Sequence, residues 1–273
     1  EDIVSGAQAK IDTRYPDGKN NMNLFGVFFQ HVLKLDEDRV VMNDGIRFNY
    51  TTLDAHLIDT AIQFRLPFNQ LSQTNKAVTG NLGIAYMPTE ELRLSTNFSS
   101  GFRSPNFDDM TKVFESVSGQ RLIVPNADLK PEYTKNVDAG IRFNDGVIDI
   151  EAYGFYTHFT NAIVTDVFTF NGQDSVNYEG TMTKVYASQN KARAFIYGGG
   201  FSATYRPALH FSLFGSINYT YGRFNNDTVL VPLDHIPPVT GRLGIKYDHQ
   251  VWYTELYSLY NGRKKLVDYN PAG

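Results

Sequence analysis

The feature that most constrains this chain is a two-residue alternation of apolar and polar side chains, repeated in segments of about ten residues. In residues 92–102, four apolar side chains alternate with five that are polar or small. The same pattern occurs in residues 148–156, 209–221 and 239–247. Because successive residues of a strand point to opposite faces of a sheet, each segment predicts a strand with one apolar face and one face that meets water.

The alternation predicts ten antiparallel strands, near residues 23–35, 40–51, 76–87, 91–102, 132–143, 147–159, 193–206, 209–222, 239–247 and 251–260. Short turns are predicted at 36–38, 88–90, 144–146, 207–208 and 248–250, and long loops at 54–75, 103–131, 160–192 and 223–238. In an antiparallel series, all the short turns then lie at one end of the sheet and all the long loops at the other. This sorting, with strands of about 9–11 residues, is typical of transmembrane β-barrels of the bacterial outer membrane.

Composition excludes several other classes of protein. No stretch approaches about 18 consecutive apolar residues, so a transmembrane helix is excluded. The net charge of −4 gives no reason to expect a nucleic-acid partner, and the lack of cysteine excludes a disulfide framework and a thiolate metal site. The mean hydropathy of −0.32 is compatible with a barrel, because only alternate residues of a barrel strand face lipid.

Aromatic residues are frequent and fall near the ends of the predicted strands. Those beside short turns are Tyr86, Tyr205, Tyr247 and Trp252, and those toward long loops are Tyr50, Tyr156, Tyr221 and Tyr260. Two interfacial girdles of a membrane barrel would have this distribution, although tyrosine also favours strands in general.

Three stretches resemble the barrel of TonB-dependent outer-membrane receptors. The first joins residues 26–30 (GVFFQ) to 45–50 (GIRFNY). The second and most specific joins 101–106 (GFRSPN) to 126–132 (NADLKPE), with Ala127 where the family usually has proline. The third is 236–238 (IPP), which leads into a predicted strand.

The resemblance implies an all-β fold, an antiparallel up-and-down transmembrane β-barrel in which this chain supplies about ten strands of roughly 22. Residues 1–273 are then a partial barrel domain from the C-terminal half, without the plug domain and the last strands. The implied function is to bind a scarce nutrient, such as an iron chelate, haem or a vitamin-like ligand, at extracellular loops and to import it. The implied partners are the inner-membrane TonB complex, outer-membrane lipid and lipopolysaccharide, and the small-molecule or metal-chelate ligand.

The candidate ligand-binding residues are Arg103, Asp108, Arg121, His56, His158 and His235. The histidines lie in or near long loops, where imidazole can bind iron or haem. The two arginines are expected to bind an anionic ligand or, as the simpler interpretation, to form a salt bridge to Asp108 or Glu115. No catalytic residue, metal site or cofactor is expected, since no histidines stand at metal-ligand spacing. Haem receptors of this family usually place a histidine between the two halves of the second motif, and residues 103–132 contain none.

Three further expectations concern short segments. Asn106 is expected to cap a short helix that carries Asp108 and Asp109 in its first turn. The glycines at 198–200 indicate a bend or a close strand approach. The basic run 263–265 is either a contact for lipopolysaccharide phosphates or solvated loop charge.

Two other functions remain open at this stage. An outer-membrane barrel enzyme would need a histidine, a nucleophile and an orienting group at one rim, and His158 with Thr157 or Thr160 is the only candidate. A soluble β-sandwich binding module would instead stack two sheets around a dry core.

Overall fold

The computed structural model describes residues 17–59, 68–117, 121–178, 180–226, 229–233 and 235–269. The strands and helices are β1 (Asp17–Leu35), β2 (Val40–Asp59), β3 (Gln70–Tyr86), β4 (Leu92–Arg103), α1 (Phe107–Thr111), β5 (Phe114–Val117), β6 (Arg121–Ile123), β7 (Glu132–Asn144), β8 (Ile148–Val167), β9 (Ser175–Tyr178), β10 (Thr181–Ala208), β11 (Phe211–Asn226), β12 (Val229–Pro232), β13 (Thr240–His249), β14 (Trp252–Asn261) and a 3-10 turn at Leu266–Asp268. Among these residues, no helix has the length and apolar character needed to cross a membrane, a finding that does not bear on crossing by strands.

All fourteen strands belong to one sheet, and ten of them form a continuous path in the order β1-β2-β3-β4-β7-β8-β10-β11-β13-β14. Each neighbouring pair on this path is antiparallel. The prediction of ten antiparallel strands with sorted connections is therefore confirmed. One sheet with no stacked partner in the described part of the chain also removes the sandwich alternative.

Several predicted long loops are wrong in part, because strands continue through them. β8 and β10 extend to pair Val167 with Tyr186, well inside the predicted loop 160–192. β2 runs to Asp59, and β11 continues to Asn226 and pairs with β12 inside the predicted loop 223–238. Beyond the membrane boundary the alternation of polarity fades, but the hydrogen-bond ladder continues, so pattern alone ends these strands too early. Residues 60–67 of the predicted loop 54–75 lie outside the described residues.

The sheet has two chemically different faces. The apolar face exposes large side chains to its surroundings, among them Leu82, Phe98, Ile141, Phe201 and Leu243. The polar face carries hydrogen bonds between neighbouring strands, including Asn81 to Asn43, Asn97 to Asp138, Thr157 to Asn136 and Arg142 to Asp149. This division confirms the alternation read from the sequence.

The close strand approach predicted at residues 198–200 is confirmed. A Cβ added at Gly199 would lie 2.6 Å from the carbonyl oxygen of Tyr153, and one at Gly200 would lie 2.6 Å from the Tyr153 ring. Both distances are shorter than van der Waals contact, so glycine lets β8, β10 and β11 come together here.

Candidate functional site

The chain between β4 and β7 folds into a compact unit that begins with α1. Asn106 Oδ1 accepts a hydrogen bond from the Asp109 backbone N–H at 2.9 Å, and Asp109 Oδ2 accepts one from the Asn106 N–H at 3.0 Å. This reciprocal pair is a capping box, which satisfies two backbone donors that a helix start otherwise leaves open. The capped short helix predicted after Asn106 is confirmed.

Behind the helix, the chain joins the long extension of β10. β6 pairs with β10 in parallel, with Lys184 opposite Arg121 and Tyr186 opposite Ile123, while β9 pairs with β10 from the other side. We call α1, β5, β6, the segment 124–130, β9 and residues 181–190 of β10 the cap.

A buried apolar core holds the cap against the polar face of the sheet. Met110, Leu122 and Val185 from the cap are fully buried. They belong to one cluster with Leu53 of β2 and Leu71 of β3. These two strand residues lie on the polar face, so the cap covers the loop end of that face. Each fully buried side chain of this size contributes about 1.5–3 kcal/mol, which makes the cap a folded layer.

Hydrogen bonds from polar-face side chains tie the segment 124–130 in place. Gln73 Nε2 donates to the carbonyl oxygen of Leu129 at 2.6 Å. Asn190 of β10 accepts from the Lys130 backbone N–H at 2.7 Å and donates to the Lys130 carbonyl oxygen at 2.8 Å. Asn126 donates to the carbonyl oxygen of Ser188 at 2.8 Å. The segment therefore lies across β3 and β10, held by side-chain hydrogen bonds to the backbone of Leu129 and Lys130.

Arg103 is an ion-pair centre that joins the cap to the sheet. Its Nε donates to Glu132 Oε1 at 2.8 Å, and its Nη1 donates to Asp109 Oδ2 at 2.7 Å. Both carboxylates are mostly buried, with 14% and 15% of their side chains exposed. A salt bridge from Arg103 to Asp108 or Glu115 was predicted; a salt bridge is present, but its partners are Asp109 and Glu132. The capping box holds the Asp109 carboxylate on the side of the helix that faces Arg103. Asp108 instead pairs with Lys112, one helical turn away, at 3.2 Å.

Arg121 belongs to a cluster of basic side chains on the cap. Its guanidinium carbon is 5.5 Å from the centre of the Tyr186 ring, and Lys184 Nζ is 6.0 Å from the same ring. Two cations around one largely buried tyrosine make a surface suited to carboxylate or phosphate groups.

The three candidate histidines are not brought together. His56 of β2 and His158 of β8 lie at positions that point to the apolar face, and His235 lies in the connection before β13 with a φ of 60°. Within the described residues there is no group of three or more His, Asp or Glu side chains placed to hold a metal ion.

The residues named for the enzyme alternative do not form a catalytic pair. Thr157 donates to Asn136 at 2.6 Å on the polar face, whereas His158 is the next residue of the same strand and points the other way. Thr160 shares the parity of His158 but lies two residues along the strand, with no hydrogen bond between the two side chains. Within the described residues, His158 therefore forms no nucleophile–base pair with Thr157 or Thr160.

Sequence reasoning missed Tyr186, Lys184, Gln73 and Asn190. Tyr186 and Lys184 lie in the predicted loop 160–192, and their partners are about 60 residues away. A parallel pairing between distant short segments leaves no local pattern in the sequence, so the periodicity of side chains does not predict it.

The open antiparallel sheet, its apolar outer surface, its polar inner surface and its cap together define part of the wall of a transmembrane β-barrel. Residues 2–273 match the family "TonB dependent receptor-like, beta-barrel". The chain belongs to this family and is an outer-membrane protein. The apolar face meets lipid, the polar face lines the barrel interior, and the loop end is extracellular.

Curated relatives of this chain have names that refer to hemoglobin and hemoglobin-haptoglobin. The chain is 24% identical over 253 residues to "Hemoglobin-haptoglobin utilization protein B" of Neisseria meningitidis, covering 85% of this chain and 31% of the relative. It is 26% identical over 201 residues to "Probable hemoglobin and hemoglobin-haptoglobin-binding protein 4" of Haemophilus influenzae, covering 69% of this chain and 19% of the relative. The chain thus spans less than a third of these relatives.

Solved structures share the fold. The copper transporter OprC superimposes with a TM-score of 0.70 at 18% identity, covering 87% of this chain and 34% of that structure. The Serratia marcescens hemophore receptor HasR, in complex with its hemophore HasA and heme, superimposes with a TM-score of 0.64 at 13% identity, covering 88% of this chain and 45% of that structure. These relatives are receptors and transporters.

Proposed function

We propose that the protein containing this chain is an uptake receptor that takes haem iron from a haemoglobin-type host protein. The observation that carries this proposal is the cap, which lies over the barrel interior at the extracellular end and leaves apolar hairpin tips exposed. Met182 at the tip of the β9–β10 hairpin is 67% exposed, and Val229 and Leu230 of β12 are 58% and 57% exposed. Exposed apolar side chains at the mouth of a barrel suit docking of a protein surface. The names of the curated relatives support a haemoglobin-type partner.

Of the six candidate ligand residues, Arg121 is the one that we carry into the proposal. With Lys184 it places positive charge around Tyr186 at the cap, where carboxylates such as haem propionates would be attracted. The cap between Arg103 and Glu132 has no histidine, so we propose that recognition there depends on charge and apolar contact and not on an iron–imidazole bond. His56, His158, His235, Arg103 and Asp108 have no role in this proposal.

Import would use energy from the TonB complex, delivered through a plug domain that belongs to the whole receptor. We propose that residues 1–273 form a part of the barrel domain of that receptor. A strain that lacks TonB should bind the host protein at its surface but fail to grow on it as an iron source.

Binding of haemoglobin to the full-length protein in detergent tests the proposal. Met182→Asp with Leu230→Asp should weaken binding at least about tenfold, since two apolar contacts are replaced by charges that lose hydration on docking. The control is Leu209→Asp with Val251→Asp, which changes two apolar residues that are even more exposed and lie at the opposite end of the sheet. Unchanged affinity in the variant that carries Met182→Asp and Leu230→Asp would contradict the proposed docking surface. An equal loss of affinity in the control would contradict it as well.

A further inference from the structure

A row of aromatic rings crosses the apolar face near its extracellular end. The strand register places Tyr156 of β8 opposite Tyr197 of β10, and Tyr197 opposite Tyr221 of β11. The rings of Tyr197 and Tyr221 are 5.1 Å apart, and Phe195 lies 6.3 Å from Tyr197 on the same face. Tyr156 and Tyr221 were both predicted for a girdle on this side. Aromatic rows of this kind lie at the boundary between acyl chains and headgroups.

The next rung toward the extracellular side is basic. Lys135 of β7 pairs with His158 of β8, which pairs with Phe195, and Phe195 pairs with Arg223 of β11. Arg193 of β10 follows in the rung beyond. On these four strands, the apolar-face positions of the aromatic rung and the two rungs after it carry no carboxylate. Cationic side chains therefore stand about one residue pair, roughly 7 Å, above the aromatic row.

A cleft opens where this basic rung reaches the segment after β14. The cleft has a volume of about 570 Å³, and its lining includes Tyr219, Tyr221, Arg223 and the basic run 263–265. Arg223 is buried, lies over the Tyr221 ring at 4.2 Å and pairs with Asp268 at 2.5 Å. Among the described residues that line this cleft, Asp268 is the one carboxylate, against four cationic side chains. These described residues keep an excess of positive charge even after the Arg223–Asp268 pair is formed.

We propose that this cleft binds the phosphates of an outer-leaflet glycolipid, lipopolysaccharide, whose acyl chains lie against the apolar face. The sequence left residues 263–265 between solvated charge and a phosphate contact. The structure favours phosphate, because it places the run beside an aromatic row at the membrane boundary and next to a buried arginine. Exposed apolar side chains at Leu266 and Val267, 90% and 72% exposed, adjoin the cleft and suit contact with lipid. The inference rests on the family and the strand register and is independent of the proposed uptake function.

Binding of lipid A to the full-length receptor in detergent, followed by native mass spectrometry, tests the proposal. The wild-type protein should retain bisphosphorylated lipid A at least about tenfold better than lipid A with the same acyl chains and no phosphate. The triple variant Arg263→Ala, Lys264→Ala, Lys265→Ala should lose most of that difference, since each basic residue near an anionic surface contributes about fivefold. The matched control is Lys34→Ala with Arg39→Ala, two exposed basic residues at the opposite end of the sheet.

A double variant that carries Arg263→Lys and Lys265→Arg keeps the positive charge. Retention of lipid A by this variant would support a charge-based site and would separate loss of charge from loss of fold. Equal retention of the dephosphorylated lipid, or full retention by the triple variant, would overturn the proposal. Displacement of lipid A by an equal concentration of inorganic phosphate would also overturn it, because it would identify a site for a free anion. If the triple variant fails to migrate as a folded barrel, Lys264→Glu alone gives the same test, with a loss of lipid A expected.

Discussion

Arg103 Nε donates to Glu132 Oε1 at 2.8 Å across the β4–β7 pair, and this ion pair joins the two halves of the chain's most family-specific motif. Glu132 Oε2 also accepts from the backbone N–H of Ile163 at 2.8 Å. The two segments 101–106 and 126–132 are thus held together through one arginine, and the motif's role visible in the structure is to anchor the cap.

Replacing this arginine should loosen the cap. Arg103→Ala leaves two mostly buried carboxylates without their cation, and hydrogen bonds to charged groups are worth about 1.5–3 kcal/mol each. We expect faster amide hydrogen exchange in residues 104–113, with little change in β11 and in residues 193–208 of β10. Arg93→Ala, an exposed arginine of the same strand, is the control. Equal protection of the cap in both variants would refute the anchoring role.

The cap core should be sensitive to cavity formation. Met110 is fully buried between α1 and the sheet, so Met110→Ala should cost about 2–5 kcal/mol of local stability. Limited proteolysis of the full-length protein is the measurement, with cleavage expected between residues 104 and 131. Leu209→Ala changes a side chain that is 90% exposed and should leave the cleavage rate at the wild-type value. A resistant Met110→Ala protein would argue against a packed cap.

The turn between β7 and β8 should depend on pH. Asp145 Oδ1 accepts from the backbone N–H groups of Ile148 at 2.7 Å and Val147 at 2.9 Å, and these bonds lower the pKa of its carboxyl. The folded pKa is therefore below the unfolded value of about 3.9. The stabilisation is present above that value and is lost as pH falls through the lower folded pKa.

Asp145→Asn provides the measurement of this effect. The difference in unfolding free energy between wild type and Asp145→Asn should shrink as pH falls from about 5 to about 2. Asp36→Asn, in the turn between β1 and β2, serves as the comparison. A difference that stays constant over this range would show that the carboxylate charge has no part in the turn.

The close approach at Gly199 should tolerate no side chain. Gly199→Val would place a Cβ 2.6 Å from the Tyr153 carbonyl oxygen, and overpacking of this kind costs about 1–3 kcal/mol. We expect a reduced yield of heat-modifiable, folded barrel on gels. At Gly154 the nearest atom to an added Cβ is 3.7 Å away, so Gly154→Ala should assemble normally. Normal assembly of both variants would mean that the strands can separate there without penalty.

Sequence patterns alone predicted the ten-strand path, the sorting of turns and loops, the two faces and the capped helix at Asn106. These features depend on neighbouring residues: alternation fixes which way each side chain points, and turn chemistry fixes where a hairpin reverses. An antiparallel chain of hairpins then has little freedom in its order, so local rules extended to most of the fold.

How distant segments meet became visible in the three-dimensional fold alone. The choice of Asp109 over Asp108, the parallel pairing of β6 with β10, and the basic rung that runs from Lys135 to Arg223 all depend on register between segments far apart in the chain. His158 was proposed as a ligand residue near a loop, but it shares the apolar face with Tyr156, as the alternation in residues 148–156 already implied. A one-residue shift reverses the face of every side chain in a strand, and no local pattern in this sequence specifies that register across the cap.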